Sequence, residues 1–450
     1  MRKGLLMVKR DNFLFLDYYE LTMAAVYYAR GMTDKATFSL FVRRYPTARN
    51  YFIAAGLKDA LDQLQSFQFS ADDIEYLKSF STFSDDFISY LRGFKFTGDV
   101  RAVKEGSLFF VDEPVLEVTA PIIEAQLVET MLLNTIGFQT MIATKAARCV
   151  QAAGKIPVID FGLRRTQGYD AGLGAARSSY IAGFSGTSNV AAGKVYGIPV
   201  TGTMAHSYVQ SFENEEAAFE AYADLFPGRS VFLIDTYDTI KGAHIAAQVA
   251  IKKHRLGNEI LGVRIDSGDM AADSRQVREI LDGYGLNDLK IFASNGLDEF
   301  KIDQLICNDA KIDAFAVGTK IGVSADAPYM DIVYKLVRYN GHDVRKLSLG
   351  KSTLAGPKQV FRRFDSNGLY QKDIIGLLED TVPDGKPLLQ TVFKKGVPSK
   401  NNPSIDDIRG QCRQNLSKLP SKYKNLKNPG KYPVEISPRL SALQKSIRPD

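Results

Sequence analysis

Cysteine is scarce: the 450 residues contain three, at Cys149, Cys307 and Cys412. They stand more than 100 residues apart and form no CxxC pair. This excludes a disulfide-stapled secreted fold and a structural zinc site, and it sets the expectation of a reducing, cytoplasmic setting. The chain also lacks any run of the roughly 18 uncharged apolar residues that a membrane span requires. Its first ten residues include basic ones, but Asp11, Asp17 and Glu20 follow where a secretion signal would carry an apolar core. Neither membrane insertion nor export is expected. What is present is a globular composition, 45% hydrophobic and 24% charged, with room for two or three domains.

The formal charge of +6 is unevenly distributed. Residues 394–450 hold thirteen Lys/Arg against four Asp/Glu, a local +9, so everything before them sums to −3. Such a tail is either a polyanion-binding arm or the solvated surface of a carboxy-terminal segment. Only Tyr423 and Tyr432 there could stack on bases, so no nucleic-acid partner is expected.

Helical patterns dominate the start: Tyr18–Arg30 ends at Gly31, and Ala54–Phe67 carries Leu57, Ala60, Leu61 and Leu64 at helical spacing. Phe38–Val42 alternates as a strand would. Short β-forming runs separated by turns fill Phe94–Thr119. Pro121 then opens an apolar helix through about Ile136, and Gln139–Ala153 predicts another. From Lys155 to about Asn340 strands alternate with helices, with strands expected at Ile156–Phe161, Ile198–Val200, Val231–Asp235, Ile260–Ile265, Lys290–Ala293 and Ala314–Val317. Six or more parallel strands with intervening helices make a barrel or a doubly wound sheet, and polar residues gathered just after them mark the active face of either. Beyond Asn340 the pattern returns to β-like runs at Val344–Leu347 and Gln359–Phe364. Domain boundaries are therefore expected at 1–120, 121–340 and 341–450.

Four constellations carry chemistry. Gly202-Thr203-Met204-Ala205-His206-Ser207 sets one of only four histidines among small residues beyond a strand, as a base or as a phosphoryl acceptor; a structurally bonded loop histidine looks the same. Gly262 to Asp269 places Arg264, Asp266 and Asp269 at a strand end, where a guanidinium and carboxylates could meet a ring, hydroxyls or magnesium. Asp235 and Asp238 at the preceding strand end suit polyol and metal binding better than two unrelated turns do. Ser294-Asn295-Gly296 and Gly318-Thr319-Lys320 outline a phosphate site built from backbone amides. Asp160-Phe161-Gly162-Leu163-Arg164-Arg165 joins an aromatic face to two guanidinium groups.

Other patterns fail. Gly350-Lys351-Ser352 lacks the upstream glycine of a P-loop, since Arg345 stands there, and the glycines at 168, 172 and 174 do not precede a dinucleotide fold. His244 and His254 lack a third ligand at metal spacing.

Taken in order, Asp17-Tyr18-Tyr19-Glu20-Leu21-Thr22-Met23, Asp160 to Arg165, Gly202 to Ser207 and Gly262 to Asp269 resemble the nicotinate phosphoribosyltransferase family over about residues 11–340. The resemblance implies an irregular parallel α/β barrel of the type II phosphoribosyltransferase kind beside a β-rich α+β domain built from both chain ends. It implies that nicotinate is joined to 5-phosphoribosyl 1-pyrophosphate, coupled to ATP hydrolysis, giving nicotinate mononucleotide and pyrophosphate for NAD salvage. By the same resemblance His206 is the phosphorylated histidine, and Phe161 and Arg264 sandwich the base, with Thr203 beside it. Tyr18 reaches the base from the neighbouring subunit of a head-to-tail dimer. Arg164, Asp266, Asp269, Gly296, Gly318 and Thr319 bind the phosphoribosyl and phosphate groups, and Asp235 with Asp266 holds Mg²⁺. Enzymes of this kind that use the amide carry an extra acidic residue, whereas residues 166–182 here offer only Asp170, so the acid is the expected base. Two other readings share part of this pattern: quinolinate phosphoribosyl transfer on a related barrel, and a catalytically inactive protein retaining the fold.

Overall fold

The computed structural model describes residues 13–348, 353–399 and 403–447. The Gly350-Lys351-Ser352 segment lies outside them. Two compact units partition the chain: one comprises residues up to Thr144 and from Ala327 onward, the other Lys145–Asp326. The expected boundaries at 120/121 and 340/341 thus differ from the observed ones. The strand Ile332–Tyr339 pairs antiparallel along Lys35–Val42, so it belongs with the chain ends, and the reason is a partner nearly 300 residues away rather than anything local.

The first unit is built on a seven-stranded sheet in the order His342–Asp343, Ile332–Tyr339, Lys35–Val42, Pro114–Pro121, Asp99–Val103, Leu389–Lys394, Val397–Pro398. Every pairing in it is antiparallel, and both chain ends contribute. Lys358–Phe364 and Tyr370–Leu377 centre a second, four-stranded sheet. Helix Tyr18–Ala29 is attached by Glu20, whose buried carboxylate accepts from Thr130 N at 3.1 Å and from the Thr130 hydroxyl. Two helical details differ from the pattern reading. The break falls at Val128, between Ile122–Leu127 and the 25-residue helix Glu129–Ala153, and no break occurs near Gly137. A β-carbon on Gly137 would lie 3.2 Å from the Ile332 side chain, so this glycine serves a close approach inside the helix. The basic tail beyond Gly396, for which no helix was expected, includes the capped helix Ile405–Lys418, whose apolar side holds Ile408 and Cys412.

The second unit carries six parallel strands in the order Gly186–Thr187, Val158–Asp160, Ala314–Val317, Lys290–Ala293, Gly262–Ile265, Val231–Leu233. Five of the expected strands appear here nearly as placed. Gly186–Thr187 lacked a β-forming run to announce it, and Ile198–Val200 contributes a single bridge from Val200 to Thr187. Among the described residues no ladder joins Val231–Leu233 back to Val200, so the barrel is irregular and open along one seam.

Behind the active face lies a buried charge cluster within this unit. Glu299 Oε2 accepts from Lys145 Nζ at 2.6 Å, and Oε1 from Arg148 Nε at 2.9 Å, with Asp326 2.7 Å from Lys145. Burial pushes the Lys145 ammonium down, and Glu299 and Asp326 outweigh it, so its pKa lies above the ordinary lysine value. Because Glu299 opens helix Glu299–Cys307, the cluster fixes where the preceding loop ends. Glu299→Gln keeps the shape but leaves two buried cations short of a counter-charge. It should destabilise the protein by about 3–5 kcal/mol in urea denaturation. Glu75→Gln, at an exposed pair with Lys78, should change stability by less than about 1 kcal/mol.

Candidate active site

Strand Val158–Asp160 ends in a fully buried aspartate. Asp160 Oδ1 accepts from Gly162 N at 2.8 Å and Oδ2 from Thr187 Oγ1 at 2.7 Å. Between these anchors sits half-buried Phe161, whose own N–H donates to Val317 O at 2.8 Å. A single 3₁₀ turn, Leu163–Arg165, then exposes Arg164 and Arg165.

Arg264 lies within strand Gly262–Ile265 and spans the open seam. Its Nη1 donates to Thr203 Oγ1 at 2.6 Å and its Nη2 to Met204 O at 3.0 Å, which fixes the plane of the guanidinium. Burial, opposed by Asp266 and Asp235 and assisted by Arg164, holds its pKa below the usual arginine value, yet an arginine stays charged throughout the physiological range. Its Nε is buried and unpaired among the described residues.

His206 follows at the start of the short helix His206–Gln210, with 39% of its side chain exposed. Nδ1 is 3.1 Å from Thr236 Oγ1, and Nε2 is 3.8 Å from Asp266 Oδ2. The imidazole is therefore open to a ligand and lies beside one of the expected carboxylates.

The acidic residues separate into two roles. Asp235 Oδ2 accepts from Asp266 N at 2.9 Å and from Ser267 Oγ at 2.6 Å, while Oδ1 is buried with no partner among the described residues. Asp266 Oδ1 accepts from the Ser294 hydroxyl, and about a third of the Asp266 side chain remains exposed. Asp238 and Asp269 instead cap the helices Thr239–His254 and Met270–Gly283, accepting from Lys241 N, and from Ala271 N and Ala272 N. Capping accounts for both without a ligand.

The two glycine loops also differ from each other. Asn295 and Gly296 both have positive φ, 71° and 64°, and a β-carbon on Gly296 would meet nothing within 4 Å. At Gly318 a β-carbon would lie 3.1 Å from Phe161 O, so that glycine lets the two loops pack. Thr319 is exposed at the start of Thr319–Gly322, and Lys320 Nζ is tied to Asp298 Oδ2 at 2.8 Å. Tyr18 belongs to the first unit, where its ring is half exposed and meets Phe80 edge-on at 6.2 Å. Asp170 is exposed in the first turn of Tyr169–Ile181.

The second unit thus brings together Thr203, His206, Asp235, Arg264 and Asp266. The pattern reading included Ser267 and Ser294 in its segments without seeing that they hold Asp235 and Asp266, and it did not name Thr236, or Thr187 on Asp160, as hydroxyls that orient the site. Nothing in their spacing distinguishes them from ordinary loop residues.

A donor set for magnesium exists in part. The unpaired Asp235 Oδ1 and the exposed part of Asp266 offer carboxylate oxygens, and no group of three or more His, Cys, Asp or Glu among the described residues is placed to hold a metal ion. That fits an ion that takes one or two protein carboxylates and completes its shell with substrate phosphates and water.

Family models match in three segments: nicotinate phosphoribosyltransferase N-terminal domain over residues 14–137, the nicotinate phosphoribosyltransferase family over 156–356, and the C-terminal domain over 380–444. The chain belongs to the nicotinate phosphoribosyltransferase family. It is 46% identical to nicotinate phosphoribosyltransferase pncB2 of Mycobacterium tuberculosis, covering 95% of this chain and 92% of that one. It is 40% identical to the Bacillus subtilis nicotinate phosphoribosyltransferase over 94% and 92%. Among solved structures, human nicotinic acid phosphoribosyltransferase superposes with a TM-score of 0.86 at 30% identity, covering 96% of this chain and 99% of that one.

Arg264→Lys keeps a charge but replaces the planar two-nitrogen fork with a single ammonium, which cannot fix a plane across the seam. At about 1.5–3 kcal/mol for a hydrogen bond involving a charged group, kcat/KM should fall roughly 10²-fold and the melting temperature with it. Steady-state kinetics and calorimetry on the same preparation check both effects.

Proposed function

We propose that this chain joins nicotinate to 5-phosphoribosyl 1-pyrophosphate, coupled to ATP hydrolysis, forming nicotinate mononucleotide and pyrophosphate in NAD salvage. The observation that carries this reading is the meeting of an exposed His206, the fixed Arg264 plane and the Asp235 and Asp266 carboxylates on one face of the parallel sheet.

As pyrophosphate leaves the anomeric carbon, oxocarbenium character develops there, and the site must hold a planar nucleophile close to it while stabilising the departing oxygens. Two bonds hold the Arg264 guanidinium flat for stacking, with Phe161 as the opposing ring. Tyr18 of a second copy reaches the base in a homodimer with shared sites, which its half-exposed ring permits. Arg164 faces the phosphates with Asp266, Gly296, Gly318 and Thr319, while Asp269 supports the Asp266 loop as a helix cap. Mg²⁺ bound at Asp235 and Asp266 would neutralise pyrophosphate charge.

The nicotinate ring nitrogen is already a nucleophile, so it needs no general base, and His206 is free for another task. In the tautomer whose Nδ1–H donates to Thr236, Nε2 keeps its lone pair. It attacks the terminal phosphorus of ATP, forming an N–P bond as the bond to the ADP oxygen breaks. Phosphate on Nε2, 3.8 Å from Asp266, adds negative charge that favours cation binding and tightens the hold on the donor. The three cysteines remain free thiols, which supports a reducing, cytoplasmic compartment. Asp170 is the one acid between 166 and 182 and is exposed, which supports the acid over the amide as the base.

Product identification by mass spectrometry, with nicotinate, nicotinamide and quinolinate supplied separately with and without ATP, tests the reading. Nicotinate mononucleotide should form from nicotinate alone and in greater yield with ATP. His206→Ala should abolish ATP hydrolysis and leave some uncoupled transfer; full ATP-stimulated turnover in that variant would remove His206 from the mechanism.

A further inference from the structure

We propose that Asp160, acting with Thr187, is a positioning residue that sets the base-stacking Phe161 and the phosphate-side Arg164. The proposal rests on the functional reading above.

Asp160 is 2% exposed, and no cation pairs with it among the described residues. A buried carboxylate served only by neutral donors is costly unless both oxygens are needed. Here two donors converge. Gly162 N–H can only donate, and the Thr187 hydroxyl, whose oxygen accepts from Asn189 N at 3.0 Å, gives its proton to the other oxygen, since a carboxylate can only accept. A carboxylate supplies two acceptors where an amide side chain supplies one. Burial accordingly raises the Asp160 pKa, and both hydrogen bonds pull against that rise.

The consequence falls on Phe161. The peptide before it is held by Phe161 N to Val317 O, and the peptide after it by Gly162 N to Asp160 Oδ1, both at 2.8 Å. With both flanking peptides fixed, so are φ and ψ of Phe161 and the direction of its Cα–Cβ bond. Arg165 N then closes on Gly162 O at 2.8 Å, carrying Arg164 in the same turn. The loop has little room to relax. A β-carbon on Gly162 would lie 2.9 Å from Asp160 Oδ1, and one on Gly322 3.1 Å from Gly162 O. Loss of the Asp160–Thr187 link therefore releases the aromatic face at its root.

The test compares steady-state kinetics of Asp160→Asn, Thr187→Val, Thr187→Ser and the double variant Asp160→Asn/Thr187→Val, with Phe161→Ala as reference. Asp160→Asn and Thr187→Val should each raise the KM for nicotinate about tenfold. Their effects should overlap in the double variant rather than multiply, and Thr187→Ser, which keeps the hydroxyl, should restore the unaltered KM. If Asp160→Asn does not fold, the Val and Ser variants at Thr187 carry the same test. A lowered melting temperature with unchanged KM values would mean a purely structural role and overturn the inference. Failure of the unaltered enzyme to convert nicotinate would overturn the functional reading and this inference with it. Conversion that Phe161→Ala abolishes, while Thr187→Val leaves it untouched, would overturn the inference alone.

Discussion

The active face depends on one buried guanidinium. Six parallel strands hold each other by backbone ladders, but the seam between Val231–Leu233 and Val200 has none among the described residues. At the carboxyl end of that seam side chains take over: Arg264 binds Thr203 and Met204, and His206 meets Thr236. A closed ladder would have filled this edge with regular backbone. Leaving it open frees the 201–206 segment to present a histidine, and Arg264 keeps the segment in register. The contact that binds the loop is also the contact that sets the plane of the guanidinium proposed to stack on the base, so structure and the proposed chemistry cannot be varied independently there.

The same division of labour recurs among the carboxylates. Asp235 uses one oxygen to hold the Asp266 loop and keeps the other unpaired; Asp266 is held at one oxygen by Ser294 and faces His206 with the other. A carboxylate pinned at one oxygen loses less freedom on binding a cation than one that must be ordered from solution. Asp238 and Asp269 spend their acceptors on helix amides, so acids of similar sequence context end up with different duties.

That difference marks how far the sequence could be read. The alternation of strands and helices from Lys155 onward and the gathering of polar residues after each strand were legible, because parallel strands buried on both faces leave apolar runs. His206, Arg264 and Asp266 were singled out from the sequence, and the structure places Asp266 beside His206 and ties Arg264 to the 203–204 loop that leads to it. The domain boundary was not legible, since strand Ile332–Tyr339 is assigned by pairing with Lys35–Val42 and no local pattern encodes a partner so distant. Nor could sequence separate an Asp that caps a helix from one that keeps an oxygen free, because both follow a strand and precede a helix. Gly318 was read as an approach for phosphate; its packing against Phe161 O shows a second reason for glycine, invisible without coordinates.

The glycine contacts tie the two halves of the site together mechanically. The backbones of Phe161 and Gly318, and of Gly162 and Gly322, approach too closely to leave room for a β-carbon, and Lys320 binds Asp298, which caps the helix beginning at the buried Glu299. A shift of the Gly318 loop by a few tenths of an ångström must therefore be passed to the Phe161 loop or absorbed by opening one of these close approaches. Close-packed backbone transmits such displacements where side chains would rotate away. Displacement of the Gly318 loop is thereby coupled to the Phe161 backbone by close packing and by the bond from Phe161 N to Val317 O, and the charge cluster around Glu299 gives that coupling a footing.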